Sequence, residues 1–158
     1  MMEEKEKAWK TVSSKYLFRR PWLTVRCEDM LLPNGNHIPE YYILEYPDWV
    51  NTIAITKDGK FVFVRQYRPR LGRTSYELCA GVCDKEDASP LVSAQRELWE
   101  ETGYGKGNWQ EYMVISANPS THTNLTHCFL ATNVEPIDHQ HLEDTEDLSV
   151  HLLTFEEV

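Results

Sequence analysis

Apolar and polar residues alternate along residues 16–46 and break at Leu32-Pro33-Asn34-Gly35-Asn36, where Asn and Gly accept the positive φ of a tight turn. The pattern predicts a small antiparallel sheet in the first third of the chain. A second hairpin is predicted from residues 49–56 and 61–67 around Lys57-Asp58-Gly59-Lys60. Within it, the unbroken run Phe61-Val62-Phe63-Val64 reads as a strand covered on both faces. Pro47-Asp48, between the hairpins, marks the expected boundary of two domains, 1–47 and 48–158. Residues 76–80 predict a short strand ahead of Gly81, and the polar residues 83–88 a loop.

Ser89-Pro90 is a helix start: the serine caps, and proline at the first helical position gives up an amide that has no partner there. A helix is predicted over 90–102, closed by Gly103, with Leu91, Ala94, Leu98 and Thr102 facing inward. Strands are then expected at 111–116, 126–132 and 149–154, with a polar loop at 135–147. Residues 155–158 read as the first turn of a further helix.

A chain of 158 residues with 41% hydrophobic and 11% aromatic content is globular, of one-domain size with room for a small appendage. Sixteen basic against 25 acidic side chains leave a net charge of −9, which opposes binding to a nucleic-acid backbone or an anionic membrane surface. No apolar run approaches the ~18 residues of a membrane span, and the charged first ten residues do not lead into a signal-type apolar stretch. A cytoplasmic protein is expected. Cys27, Cys79, Cys83 and Cys128 read as buried thiols, since Cys79 and Cys83 lack a second ligand pair at zinc-site spacing.

The chemistry concentrates in the predicted helix, in Arg96-Glu97-Leu98-Trp99-Glu100-Glu101-Thr102-Gly103-Tyr104. At 3.6 residues per turn, Glu97 lies one turn from both Glu100 and Glu101, which puts three carboxylates on one face. A solvated face with an Arg96–Glu100 pair is one reading. The other is a site for a hard divalent cation, which prefers oxygen ligands and shares them with substrate phosphates.

This run resembles the signature of the Nudix hydrolases, which reads glycine, five residues, glutamate, seven residues and then R-E-U-x-E-E-x-G-U, with U aliphatic or similar. Residues 96–103 match every fixed position, and Tyr104 takes the last hydrophobic place. Gly81 and Asp87 keep the glycine-to-acid spacing, but eight residues rather than seven separate Asp87 from Arg96. Counted back from Arg96, Val82 and Ala88 fall at the glycine and glutamate places, so the loop before Ser89 carries one extra residue. Val64-Arg65-Gln66-Tyr67-Arg68 and Glu77-Leu78-Cys79-Ala80-Gly81 resemble the R-Q-Y-R and E-L-P-A-G segments of the branch that cleaves ADP-ribose and other nucleoside diphosphate sugars. Pro119 corresponds to a proline of that branch downstream of the box.

The resemblance implies an α+β protein with the Nudix fold: an α/β/α sandwich around a mixed β-sheet, with an N-terminal antiparallel β appendage that serves dimerisation and base binding. It implies metal-dependent cleavage of the diphosphate bond of ADP-ribose or a related nucleoside diphosphate sugar to a nucleoside monophosphate and a sugar phosphate, with Mg²⁺ or Mn²⁺ as cofactor. Glu97, Glu100, Glu101 and the Ala80 carbonyl would be the metal ligands, with Glu100 on a second ion or its water. Arg96 would orient the glutamates through charge-assisted hydrogen bonds. Arg68 aligns with an arginine on the diphosphate. Glu146, then Asp144, are the candidates for the general base, in the acidic segment Glu143-Asp144-Thr145-Glu146-Asp147. Trp22, Trp49 and Tyr42 are candidates for stacking on the base, and Pro119 for the substrate loop.

His122 and His127 flank that loop; His139 and His141 receive no role. After Pro119, relatives often carry a glutamate where this chain has Asn124 or its neighbours, which implies a different substrate scope. Two other readings compete: the same reaction on GDP-mannose or another nucleotide, and a non-catalytic nucleotide-binding sensor.

Overall fold

The computed structural model describes residues 7–158. They form two units, one comprising the chain up to Tyr46 together with Ser116–Asn124, the other Pro47–Ile115 with Leu125–Val158.

The first unit is an antiparallel sheet of β1 (Lys10–Arg20), β2 (Leu23–Leu31) and β3 (His37–Glu45), in that order. The alternating stretch therefore begins earlier than the sequence pattern suggests, at Lys10. The Asn-Gly turn closes β2 onto β3 as expected: the Gly35 amide donates to the Leu32 carbonyl at 2.9 Å and the Asn36 amide to Asn34 Oδ1 at 3.0 Å. Cys27 and Glu28 are its buried residues. Glu28 keeps its charge satisfied through Arg26 and a 3.2 Å bond from Thr11 Oγ1. The segment 116–124 joins this sheet through the Leu44 amide on the Thr121 carbonyl, at 2.7 Å, and the Thr123 amide on the Leu44 carbonyl, at 3.1 Å.

The second unit is an eight-stranded mixed sheet with one helix, α1 (Pro90–Thr102). Its strands are β4 (Trp49–Thr56), β5 (Phe61–Arg68), β6 (Arg73–Glu77), β7 (Cys79–Val82), β8 (Tyr104–Gly105), β9 (Asn108–Ile115), β10 (Thr126–Pro136) and β11 (Leu148–Leu153). The order is β11-β5-β4-β10-β8, with β6 on β5, β7 on β4 and β9 on β10. Only β4 and β10 run parallel. β4 buries every second residue, Val50, Thr52, Ala54 and Thr56, as a strand with one face in the core must. Val62 and Val64 of β5 are buried while Phe61 and Phe63 are only half-buried, so the expected two-sided cover is incomplete.

Leu98 of α1 packs with Ala54, Val62, Cys79, Ala131 and Val134, and Ala94 with Val50 and Phe129. The helix bounds agree with the capping signals. Ser89 Oγ accepts from the Val92 amide, and Gly103, at φ 71°, donates its amide to the Trp99 carbonyl at 2.8 Å. The inward stripe needs one correction: Leu91 is 37% exposed. Its angle around the helix is right, but the first turn meets an open cleft lined by Trp109 and Phe129 instead of packed core. Ser93 and Glu101 are buried in addition.

Three further differences concern strands. The stretch expected as one strand at 76–80 divides into β6, on β5, and β7, on β4. β10 runs on to Pro136, past a register shift at Asn133, whose φ is +59°. β8 has no counterpart in the sequence reading. Among the described residues no helix is long and apolar enough to cross a membrane.

Candidate active site

Arg96 is the hub of the carboxylate cluster. Its Nη1 donates to Glu97 Oε1 and to Glu100 Oε2, both at 2.9 Å. Its Nη2 donates to the Val82 carbonyl and to Asp87 Oδ2, both at 3.0 Å, and Nε reaches the same Asp87 oxygen at 3.1 Å. Asp84 stands 3.2 Å away. Partial burial works against the guanidinium charge, yet Asp87, Glu100 and Glu97 together hold it protonated well above its usual range. In return the Arg96 hydrogen bond holds the Asp87 carboxyl below its ordinary value. Asp87, in the loop before Ser89, thus reaches the arginine.

Glu97 lies against β7. A Cβ added at Gly81 would collide with the Glu97 carboxylate, so the glycine makes the space in which that carboxylate sits. Burial, against the pull of Arg96, raises the Glu97 pKa. Glu101 turns further inward and is 6% exposed, accepting from the Ala80 amide at 3.3 Å with the Cys79 thiol beside it. Burial first, then the charges of Glu97 and Glu146, push the Glu101 carboxyl up to about 7, against the hydrogen bonds of Cys79 and Ala80. The three glutamates are therefore neighbours on one side of α1 without meeting at one point: Arg96 holds Glu97 and Glu100, and the β7 backbone holds Glu101.

Glu146 is exposed on the loop between β10 and β11, where its carboxylate accepts from the Glu143 amide at 3.0 Å, and its charge is felt at both Glu97 and Glu101. Asp144 is exposed in the turn ahead of it. Arg68, at the end of β5, is held by Glu77 of β6: Nε to Oε1 at 2.8 Å and Nη2 to Oε2 at 2.5 Å. That hydrogen bond, with the charges of Glu77 and Glu101, raises the Arg68 pKa against partial burial. Sequence reasoning missed this use of Glu77, although both residues lie in the segments singled out. Trp49 is exposed at the start of β4. His127 lies on β10, with Nδ1 2.7 Å from Glu111 and Nε2 3.7 Å from Asp48.

Trp22, Tyr42, Pro119 and His122 belong to the first unit. Trp22 stands 81% exposed in the turn between β1 and β2, and Tyr42 is exposed on β3. Pro119 is exposed in the turn of the 116–124 segment, and His122 meets Tyr46 edge to face at 5.3 Å.

The donor set fits a hard divalent cation. Glu97 and Glu101 are carboxylates whose burial disfavours their charge, Glu100 and Glu146 add to the negative field, and the one arginine of the group is shared with Asp87. The Gly81 cradle keeps the Glu97 carboxylate against the strand that also carries Ala80.

Comparison with known proteins gives the family. Residues 9–44 match the nucleoside diphosphate sugar hydrolase N-terminal domain, and residues 46–158 match the NUDIX domain. The chain is 31% identical over 149 residues to an ADP-ribose pyrophosphatase of Bacillus subtilis and 30% identical to a methanol dehydrogenase activator of Bacillus methanolicus. Each alignment covers 94% of this chain and 80% of the relative. An ADP-ribose pyrophosphatase of Mycobacterium tuberculosis is 28% identical over 132 residues, covering 84% of this chain and 63% of that protein. The crystal structure of an ADP compounds hydrolase superposes with a TM-score of 0.82 at 20% identity, covering 97% of this chain and 82% of that one, and so shares the fold. With a mixed sheet, the Arg96 to Gly103 helix signature and a NUDIX match across residues 46–158, the chain belongs to the Nudix family.

Proposed function

We propose that the protein is a divalent-metal-dependent pyrophosphatase that hydrolyses ADP-ribose or a related nucleoside diphosphate sugar to a nucleoside monophosphate and a sugar phosphate. The observation that carries this reading is the pair of partly buried Glu97 and buried Glu101, organised around Arg96 and the Gly81 cradle. The relatives named for ADP-ribose give the substrate class. Glu97, Glu101 and the Ala80 carbonyl are the residues that would hold a first ion, Mg²⁺ or Mn²⁺, and Glu100 a second ion or its water.

When bound, such a cation neutralises diphosphate oxygens and makes water a better nucleophile. Arg96 is a positioning residue: it touches Glu97 and Glu100 and keeps their carboxylates pointed, without meeting substrate. Arg68, held flat by Glu77, presents its remaining N–H groups to the diphosphate. Glu146 takes the proton of the attacking water, with Asp144 the alternative base; a bond from the water oxygen to phosphorus forms and the bridging P–O bond breaks. Trp22 and Trp49, both exposed aromatics, are assigned to stacking on the base, and Pro119 to shaping the substrate loop.

The N-terminal sheet leaves Val12, Tyr16, Leu17, Phe18 and Trp22 exposed, which supports a homodimer built through it. The cysteines, all free, suit the reducing cytoplasm. Turnover of ADP-ribose, ADP-glucose, GDP-mannose, diadenosine polyphosphates and nucleoside triphosphates, followed by product chromatography with Mg²⁺, tests the assignment. Preferred cleavage of ADP-ribose or ADP-glucose is expected. Preference for GDP-mannose would move the substrate within the same chemistry, and tight binding of one nucleotide with no turnover would make the protein a sensor.

A further inference from the structure

The loop after β10 gathers a second set of metal-ligating side chains, of a different chemical kind from the glutamates of α1. Asp138, His139 and His141 bring one carboxylate oxygen and two imidazole nitrogens within 4.8 Å of one another. Asp138 Oδ1 is 2.7 Å from His139 Nδ1, and Asp138 Oδ2 is 3.0 Å from His141 Nε2. Ligands bound to one ion at about 2.0–2.2 Å stand roughly 3 Å from one another, so small side-chain rotations bring these three onto a common centre.

The backbone beneath them is already fixed. The Asp138 amide donates to the Gly103 carbonyl at 3.1 Å, the His141 amide to the Glu100 carbonyl at 2.8 Å, and Gln140 Nε2 to the Glu101 carbonyl at 2.7 Å. The His141 ring packs on Trp99 with centroids 4.2 Å apart. The cluster thus sits at the C-terminal end of α1, where the helix dipole is negative and the last turn carries no basic side chain. Cations are favoured there. Two imidazoles with one carboxylate select ions of the zinc type over Mg²⁺, which prefers oxygen.

We propose that Asp138, His139 and His141 bind one divalent transition-metal ion of the zinc class, at a site separate from the glutamates of α1. The site uses none of the residues assigned to hydrolysis, and it stands or falls independently of the substrate assignment.

The test is calorimetric titration of Zn²⁺ into the full chain, carrying no histidine tag, in an excess of Mg²⁺ that occupies the oxygen ligands. One Zn²⁺ per chain is expected, with affinity at least tenfold weaker in the double variant His139→Ala/His141→Ala. Hydrolysis by that variant with Mg²⁺ alone is expected to be unchanged, which separates failure of this site from failure of the active-site reading. Equal Zn²⁺ affinity in a folded double variant would overturn the proposal by moving the ion elsewhere. Should the variant not fold, electron paramagnetic resonance of the Cu²⁺-loaded native protein decides: hyperfine coupling to two imidazole nitrogens is expected, and a spectrum with oxygen ligands only, or no stoichiometric binding, overturns the site.

Discussion

At the scale of single residues, the site is a contest between burial and charge. Glu101 is buried, and its carboxyl is pushed up to about 7, so the folded metal-free chain holds that proton more tightly than the unfolded one. The stability this contributes is fully present below about 4.5, the usual glutamate value, and is lost as pH rises through about 7. Thermal melts of the metal-free protein should therefore fall more steeply over that window than those of Glu101→Gln, and added Mg²⁺ should restore most at the alkaline end; identical pH profiles for the two proteins would show that the Glu101 carboxyl does not set this pH dependence. Gly81 supplies a second check. Its Cβ would occupy the place of the Glu97 carboxylate, so Gly81→Ala should lower kcat by about 100-fold while the unfolding midpoint moves little. Steady-state kinetics paired with denaturant unfolding would reveal whether the loss is one of positioning.

The residue scale also shows what local sequence conveys. Arg96, Glu97, Glu100 and Glu101 are legible because helical spacing alone makes them neighbours. The Asp87 and Asp84 contacts of Arg96 are not, because a loop with one extra residue has no fixed period from which to read where its acids point. Nor is the pairing of Arg68 with Glu77, which depends on the register of β6 against β5.

Among the elements, α1 is the part best specified by its own sequence. Ser89, Pro90 and Gly103 each act within a turn of the helix end, so the bounds can be read without tertiary information. Gly103 does more than end the helix: at φ 71° it also lies against the Asp138 carbonyl, where a Cβ would clash. Gly103→Ala should cost at least about 1 kcal/mol, more than Ser89→Ala at about 1 kcal/mol or less, in denaturant unfolding. A smaller loss at Gly103 would mean that the loop holding Asp138 yields easily. The strands were less legible. Residues 76–80 look continuous in sequence, yet Leu78 separates two strands that serve different neighbours. The two-residue β8 exists only because β10 lies beside it, and Leu91 carries the right angle but lacks a partner layer at the helix start.

For the molecule as a whole, the non-local facts are those a single sequence conceals. Segment 116–124 follows β9 in sequence but clusters with the N-terminal sheet, through two backbone bonds to Leu44 that no periodicity announces. The apolar residues of β1 pose a question of assembly. If a second copy covers them, sedimentation should give twice 18.5 kDa, and Phe18→Glu, placing a charge on a 57% exposed apolar position, should shift the species toward 18.5 kDa. A native protein sedimenting at 18.5 kDa would assign that face to something other than a second copy. The acidic balance of −9 makes the local field at Glu97, Glu100, Glu101 and Glu146 part of a broader negative character, which a divalent cation must offset before a diphosphate can approach.

The most direct measurement is release of AMP from ADP-ribose by the purified chain with and without Mg²⁺, alongside a folded Glu101→Gln variant. Turnover that requires the ion and falls by at least 1,000-fold in the variant, about 4 kcal/mol of transition-state stabilisation, is expected. Turnover unchanged by Glu101→Gln, or equal without divalent metal, would contradict the assignment of this carboxylate cluster as the centre of the reaction.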